Sequence, residues 1–184
     1  MPGPVFLRGD RVTLRTFEEA DLGFLAPAYE DPTVRQRMGS HGPYVERHER
    51  NWLESLDEDT VGLVLCPQEG SAEPTGVGLL TLYDIDEREG RAEMGAVFLP
   101  DVRGEGYATE GCSLLLDYAF GERRLHRVRA TTLAVNDPAR ATLTRLGFEL
   151  EGRTREATLV AGERVDELRY GLLASEWDQS ETDD

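Results

Sequence analysis

The residues best suited to chemistry form the run Arg103-Gly104-Glu105-Gly106-Tyr107-Ala108. Glycines one residue apart let a backbone turn sharply and let a ligand come close to it. Before the run, the apolar residues 96–99 read as the end of a strand, stopped by Pro100, which has no N–H for a ladder. After it the hydrophobic period changes. Ala108, Cys112, Leu115 and Ala119 recur at helical spacing, and Leu114 and Tyr118 widen the stripe. The first turn of a helix presents free N–H groups and the positive end of a dipole, which together suit an anion such as a phosphate. Arg103 adds a full positive charge beside it. The run is not a Walker loop, because no Gly-Lys-Ser/Thr follows. Nor is it a dinucleotide fingerprint, because Thr109 stands where a third glycine or an alanine belongs. The same residues also suit a plain strand–turn–helix connection in which the glycines only make the turn.

Periodicity supplies the elements that must position this loop. Residues 5–16 alternate as a first strand, with Val12 and Leu14 on one face. Residues 18–30 read as a helix carrying Leu22, Leu25, Ala26 and Tyr29 on one stripe, broken by Asp31-Pro32. A short helical piece at 33–38, a connection at 39–43 and a helix at 45–56 follow. Strands at 61–66, 76–83 and 91–99 form an antiparallel meander that leads into the loop. Beyond the loop's helix, 125–135 is a long strand. Asp137 stands where it could cap the next helix, with Pro138 in its first turn and Gly147 closing it. Strands at 148–156 and 165–173 turn through Ala161-Gly162. No repeat or second domain is visible. The chain therefore reads as one α/β (α+β) domain over residues 1–177, with a mixed, mostly antiparallel central sheet flanked by helices, and an acidic disordered tail at 178–184.

The loop resembles the Arg/Gln-x-x-Gly-x-Gly/Ala pyrophosphate loop of the GNAT superfamily of acyl-CoA-dependent N-acetyltransferases. A second segment, Asn136-Asp137-Pro138-Ala139, then Leu143 and Arg145-Leu146-Gly147-Phe148, is similar to that family's Asn-x-x-Ser…Leu-Gly-Phe signature. Leu14-Arg15 with Asp21, and Tyr170-Gly171-Leu172-Leu173 with Glu176-Trp177, resemble the RimJ/RimL-like branch of ribosomal-protein N-terminal acetyltransferases. The resemblance implies a GNAT order of elements and acetyl-CoA as co-substrate. Arg103, Gly104, Glu105, Gly106, Tyr107 and Ala108 would hold the pyrophosphate, mostly through backbone N–H groups. The backbone at Phe98 and Leu99 would pair with the pantetheine, with an N–H near Phe98 as oxyanion donor. Asn136 would hydrogen-bond the pantetheine arm, or else cap its helix. Glu93 would accept the amine proton, or else be a solvent-facing strand carboxylate. Residues 38–44 become a candidate specificity loop, or an ordinary surface loop. The chain departs from the family at Leu143, where many members carry a Tyr, and at Ala139, where a Ser is usual; no general acid is assigned. A thiol with a pKa of about 8.5 is a tolerable leaving group without one. The implied reaction is acetyl transfer to a primary amine, either a protein N-terminus, such as a ribosomal protein's, or a small molecule. The departures leave a non-catalytic acyl-CoA-binding sensor as the alternative.

Composition bounds the partners. The 36 acidic and 20 basic residues give a formal net charge of −16, and every basic side chain besides histidine is Arg. Such a surface disfavours nucleic acid and anionic membranes. It suits solvation in concentrated salt, where the Debye length falls to about 3 Å at 1 M, so a halophilic source is expected; the absence of Lys also fits a GC-rich genome. No apolar run approaches membrane-spanning length and the N-terminus lacks a signal-peptide pattern, which points to a soluble, cytoplasmic protein. Cys66 and Cys112 have no metal-ligand spacing around them and read as buried thiols; no metal is expected. A homodimer is compatible with the sequence.

Overall fold

A computed structural model of the chain describes residues 2–39, 42–54, 56, 59–68, 74–100 and 104–177. Along them run β1 (Val5–Arg8), β2 (Val12–Thr16), α1 (Ala26–Glu30), α2 (Pro32–Arg37), α3 (Glu46–Glu54), β3 (Val61–Pro67), β4 (Gly78–Asp86) and β5 (Arg91–Phe98). Then come α4 (Tyr107–Asp117), continued by a π-helical turn at Tyr118–Glu122, β6 (Arg127–Leu133), α5 (Asp137–Arg145), β7 (Glu149–Val160) and β8 (Glu163–Leu173). The strands form one sheet in the order β1-β2-β3-β4-β5-β6-β8-β7. Only β5 and β6 run parallel among these neighbours. The mixed, mostly antiparallel α/β domain expected from the sequence is the one observed. Arg103 and the tail at 178–184 lie outside the described residues.

Alternation along each strand sends side chains to two cores. Leu63, Leu65, Leu80, Leu82, Ala92, Met94 and Val128 face α4 and α5, where Cys112, Leu115, Leu116, Leu143 and Leu146 are buried with them. On the other face Val64, Cys66 and Leu79 meet Phe17 and Leu25, with Trp52 and Leu53 of α3 against them. Both thiols are buried. Burial pushes Cys112 up to about 12 and Cys66 up to about 11, so both stay protonated and unreactive at neutral pH.

Two expectations need correction. Residues 5–16 are not one strand but a hairpin, with Val5 opposite Arg15 and Arg8 opposite Thr13. Gly9 N–H donates to Val12 O at 2.9 Å and turns the chain, so Arg11 sits at a hairpin tip. Residues 18–30 are not one helix. A 3₁₀ turn at Glu19–Asp21 and α1 are separated around Gly23, whose φ of +89° no helix accommodates.

α4 approaches the sheet closely because it carries Gly111. A Cβ there would stand 2.2 Å from Leu65 Cδ1, on a side chain with no exposure. Gly111→Val is therefore expected to destabilise the fold by about 1–3 kcal/mol through overpacking. Thermal unfolding measures it; an unchanged Tm would mean that α4 can lift from the sheet without cost.

Candidate active site

The parallel pair β5 and β6 makes the opening on which the site is built. They are in register only at Arg91↔Arg127, Ala92↔Val128 and Glu93↔Arg129. Beyond Glu93, β5 stays paired with β4 out to Phe98, while β6 stays paired with β8 out to Leu133. The two strands therefore part, each held by its outer neighbour. Leu99 N–H donates to Val77 O at 2.9 Å, on the β4 side. Backbone direction alternates along a strand, so the N–H groups of Ala96 and Phe98 point the other way, into the opening. Such donors suit the amides of an extended thioester arm or a carbonyl oxygen that becomes an oxyanion.

At the mouth of the opening stands the start of α4. Gly104 and Gly106 both have positive φ, +85° and +82°. Gly106 is the N-cap and offers no side chain, so the N–H groups of the first turn are left for a ligand; the first return bond is Glu110 N–H to Gly106 O. A Cβ on Gly104 would meet nothing within 4 Å. The donors, the open space and the dipole end fit a diphosphate.

Arg11 was not visible as a site residue in the sequence. From the β1–β2 hairpin its Nη1 donates to Glu105 O at 2.8 Å, and its guanidinium lies 4.8 Å from the centre of the Tyr107 ring. Glu110 Oε1 in turn accepts from the Arg11 N–H at 2.8 Å and the Val12 N–H at 3.2 Å. The loop is thus braced from a distant strand by a cation. Arg11→Ala is expected to weaken CoA binding about three- to tenfold, from a lost hydrogen bond and cation–π contact. Calorimetry tests it; unchanged affinity would mean that the loop holds its own shape.

Glu93 lies at the apex of the opening, opposite Tyr83 on β4 and Arg129 on β6. Its side chain is 18% exposed, and Arg129 Nη2 approaches Oε2 at 3.7 Å. Burial first, and then the Glu93 charge, hold the Tyr83 hydroxyl well above the ordinary phenol range. Tyr83 thus stays protonated beside the carboxylate and is a poor proton source. Glu93 lines a cavity of about 280 Å³ with Arg127, Arg129, Thr131, Glu151 and Arg169. A larger, shallow hollow of about 620 Å³ lies between α5 and Tyr170, and Glu93 does not line it.

Asn136, not Asp137, caps α5. Its Oδ1 accepts from Ala139 N–H at 3.4 Å, because a capping oxygen must stand three residues before the N–H it receives. Its Nδ2 donates to Arg37 O at 3.3 Å, tying the end of α2 to the end of β6. Both polar ends of Asn136 are engaged, so a bond to a pantetheine would have to displace one. Gly39 stands beside Leu133 and Thr158, so the start of the 38–44 segment lies near the end of β6; residues 40 and 41 lie outside the described residues. Leu143 is buried against the sheet, where a tyrosine would have no solvent. His48 and His126 are exposed, and neither lines Glu93's cavity.

A parted strand pair with a glycine-capped helix at its mouth is the frame of an acyltransferase domain. Residues 11–149 match the acetyltransferase (GNAT) domain family, and the chain belongs to it. It is 35% identical over 101 residues to the provisionally assigned ribosomal N-acetyltransferase YdaF of Bacillus subtilis, covering 55% of each chain. It is 28% identical over 100 residues to the spermidine N(1)-acetyltransferase of Escherichia coli K12, covering 54% of each. The matched stretch thus spans about half the length of these two relatives. A GNAT-family acetyltransferase structure from Bacillus anthracis superposes with a TM-score of 0.78 at 26% identity, covering 93% of this chain and 99% of that one.

Proposed function

We propose that this chain transfers an acetyl group from acetyl-CoA to a primary amine, and that the amine is a protein N-terminus, as in the RimJ/RimL-like branch. The observation that carries the reading is the opening between β5 and β6, with Glu93 at its apex and the uncapped start of α4 at its mouth. Gly104, Gly106 and the first-turn N–H groups would hold the diphosphate, and the strand edge at Phe98 the thioester arm. The amine nitrogen attacks the thioester carbonyl, and a donor such as Phe98 N–H stabilises the oxyanion. Glu93 takes the ammonium proton before that attack, and the nitrogen sheds its second proton as the intermediate collapses. The C–S bond then breaks, giving an acetamide and the CoA thiolate, which picks up a proton to leave as the thiol.

Similarity to YdaF favours an amine of a ribosomal protein. Similarity to the E. coli spermidine enzyme favours a polyamine as the second reading. An acceptor panel of short peptides with free N-termini, spermidine and free amino acids, read by thiol release from acetyl-CoA, separates them. Release with peptides is the expected result. Release with spermidine alone selects the polyamine reading. CoA binding without release on any acceptor makes the chain an acyl-CoA-binding module.

A further inference from the structure

Arg127, Arg129 and Arg169 surround Glu93 in a chain whose formal net charge is −16. Pairing explains why they meet. Glu93 is opposite Arg129, Thr131 is opposite Arg169, and Arg127, Arg129 and Thr131 share one face of β6. They stand on the face opposite α4 and α5, which pack against Val128, Leu168 and Leu172.

Their internal partners do not use them up. Arg127 is paired with Glu151. Arg129 touches Glu93 only at 3.7 Å, and its buried Nε finds no acceptor among the described residues. Arg169 is exposed and makes no ion pair among them; its guanidinium lies over Gly152, 3.2 Å from where a Cβ would stand. With Arg127 balanced by Glu151 and Arg129 by Glu93, the cavity keeps one uncompensated positive charge, on Arg169. A polycation entering here brings like charge into a partly enclosed space, where repulsion is less screened than in bulk water. A molecule carrying both an ammonium and a carboxylate brings no net charge, and can set one end at Glu93 and the other between two guanidiniums.

We propose that Arg129 and Arg169 form an anion subsite, and that the acceptor carries a carboxylate beside the amine it presents to Glu93. This deepens the acetyl-transfer reading and rests on it for the position of the amine. Arg129 and Arg169 are specificity-determining residues in this scheme, not catalytic ones. The chemistry is shared by two sources: a free α-amino acid, or a peptide N-terminus followed by Asp or Glu.

The test compares matched acceptors. One pair is a short peptide with Asp-Glu at its second and third positions against the same peptide with Asn-Gln. The other pair is a free α-amino acid against its α-amide; spermidine is the fifth acceptor. Turnover is followed by thiol release. Binding of the N-acetylated member of each pair to the CoA-loaded protein is followed by calorimetry. The carboxylate form of one pair is expected to be preferred by about 10- to 100-fold, the worth of a charge-assisted hydrogen bond. The responding pair identifies the source. Arg169→Gln should erase the preference through KM with little change in kcat, and Arg129→Gln, which also removes the cation beside Glu93, should erase the preference as well. Carboxylate-selective binding with no turnover on any acceptor would sink the transfer reading and leave the subsite standing. Equal use or equal binding of acid and amide, preference for spermidine, or a preference unmoved in both folded variants would overturn the subsite.

Discussion

Gly106→Val is expected to lower affinity for CoA by about 100-fold or more while leaving a folded protein. Two or more charge-assisted bonds, each worth about 1.5–3 kcal/mol, would be lost from the diphosphate. At φ +82° a β-branched side chain is strained, and its Cβ would stand 3.7 Å from Arg11 Nη1 at the start of a helix whose first-turn N–H groups no side chain caps. Strain alone could produce the same loss by unravelling the turn, so a second variant separates the causes. Asp tolerates the left-handed region, so Gly106→Asp keeps the turn but sets a negative charge where the phosphate would lie. Both variants should lose CoA binding in calorimetry, with circular dichroism and Tm close to the parent for Gly106→Asp. A folded Gly106→Asp protein that still binds CoA like the parent would reduce the glycines to turn makers and remove the diphosphate from α4.

The loop and α4 were legible because the hydrophobic period changes at Gly106, and a glycine pair at a period change marks a turn into a helix. The opening between β5 and β6 was not legible. Alternation says which face a side chain takes, but not how far two parallel strands stay in register, and that is decided by their outer partners β4 and β8. The hairpin at Gly9 was missed because hydrophobic alternation runs on through residues 5–16. With it went Arg11, which matters only because the hairpin delivers it to a loop 94 residues away. Asp137 and Asn136 compete for the same cap, and one residue of register gives it to Asn136. Arg127 and Arg129 could be read as one face of a strand. Arg169 joins them only through the β6–β8 pairing, which no local pattern encodes.

Glu93→Gln is expected to keep CoA affinity and to lower kcat by about 10²- to 10⁴-fold, the usual worth of a general base. The carboxylate stands where β5 and β6 part, so a nitrogen entering the opening from the cavity side meets it before the thioester. Gln keeps the shape and size of Glu, so a loss reports the missing basicity rather than a collapsed site. The pH dependence carries the sign. An N-terminal amine has a pKa of about 8, so below that pH most acceptor is an ammonium without a lone pair. The parent removes the proton within the complex; the variant must wait for the fraction already neutral. The gap should therefore be widest at low pH and narrow as pH rises above the amine pKa. Tyr83→Phe offers an internal check. It removes a neutral hydroxyl beside Glu93 and leaves the charge, so it should cost less than Glu93→Gln and keep the parent's pH profile. Steady-state rates for the three proteins across pH, with CoA binding measured in parallel, decide the matter. Equal kcat for parent and Glu93→Gln at every pH would assign deprotonation to water or another group and return Glu93 to an ordinary strand carboxylate.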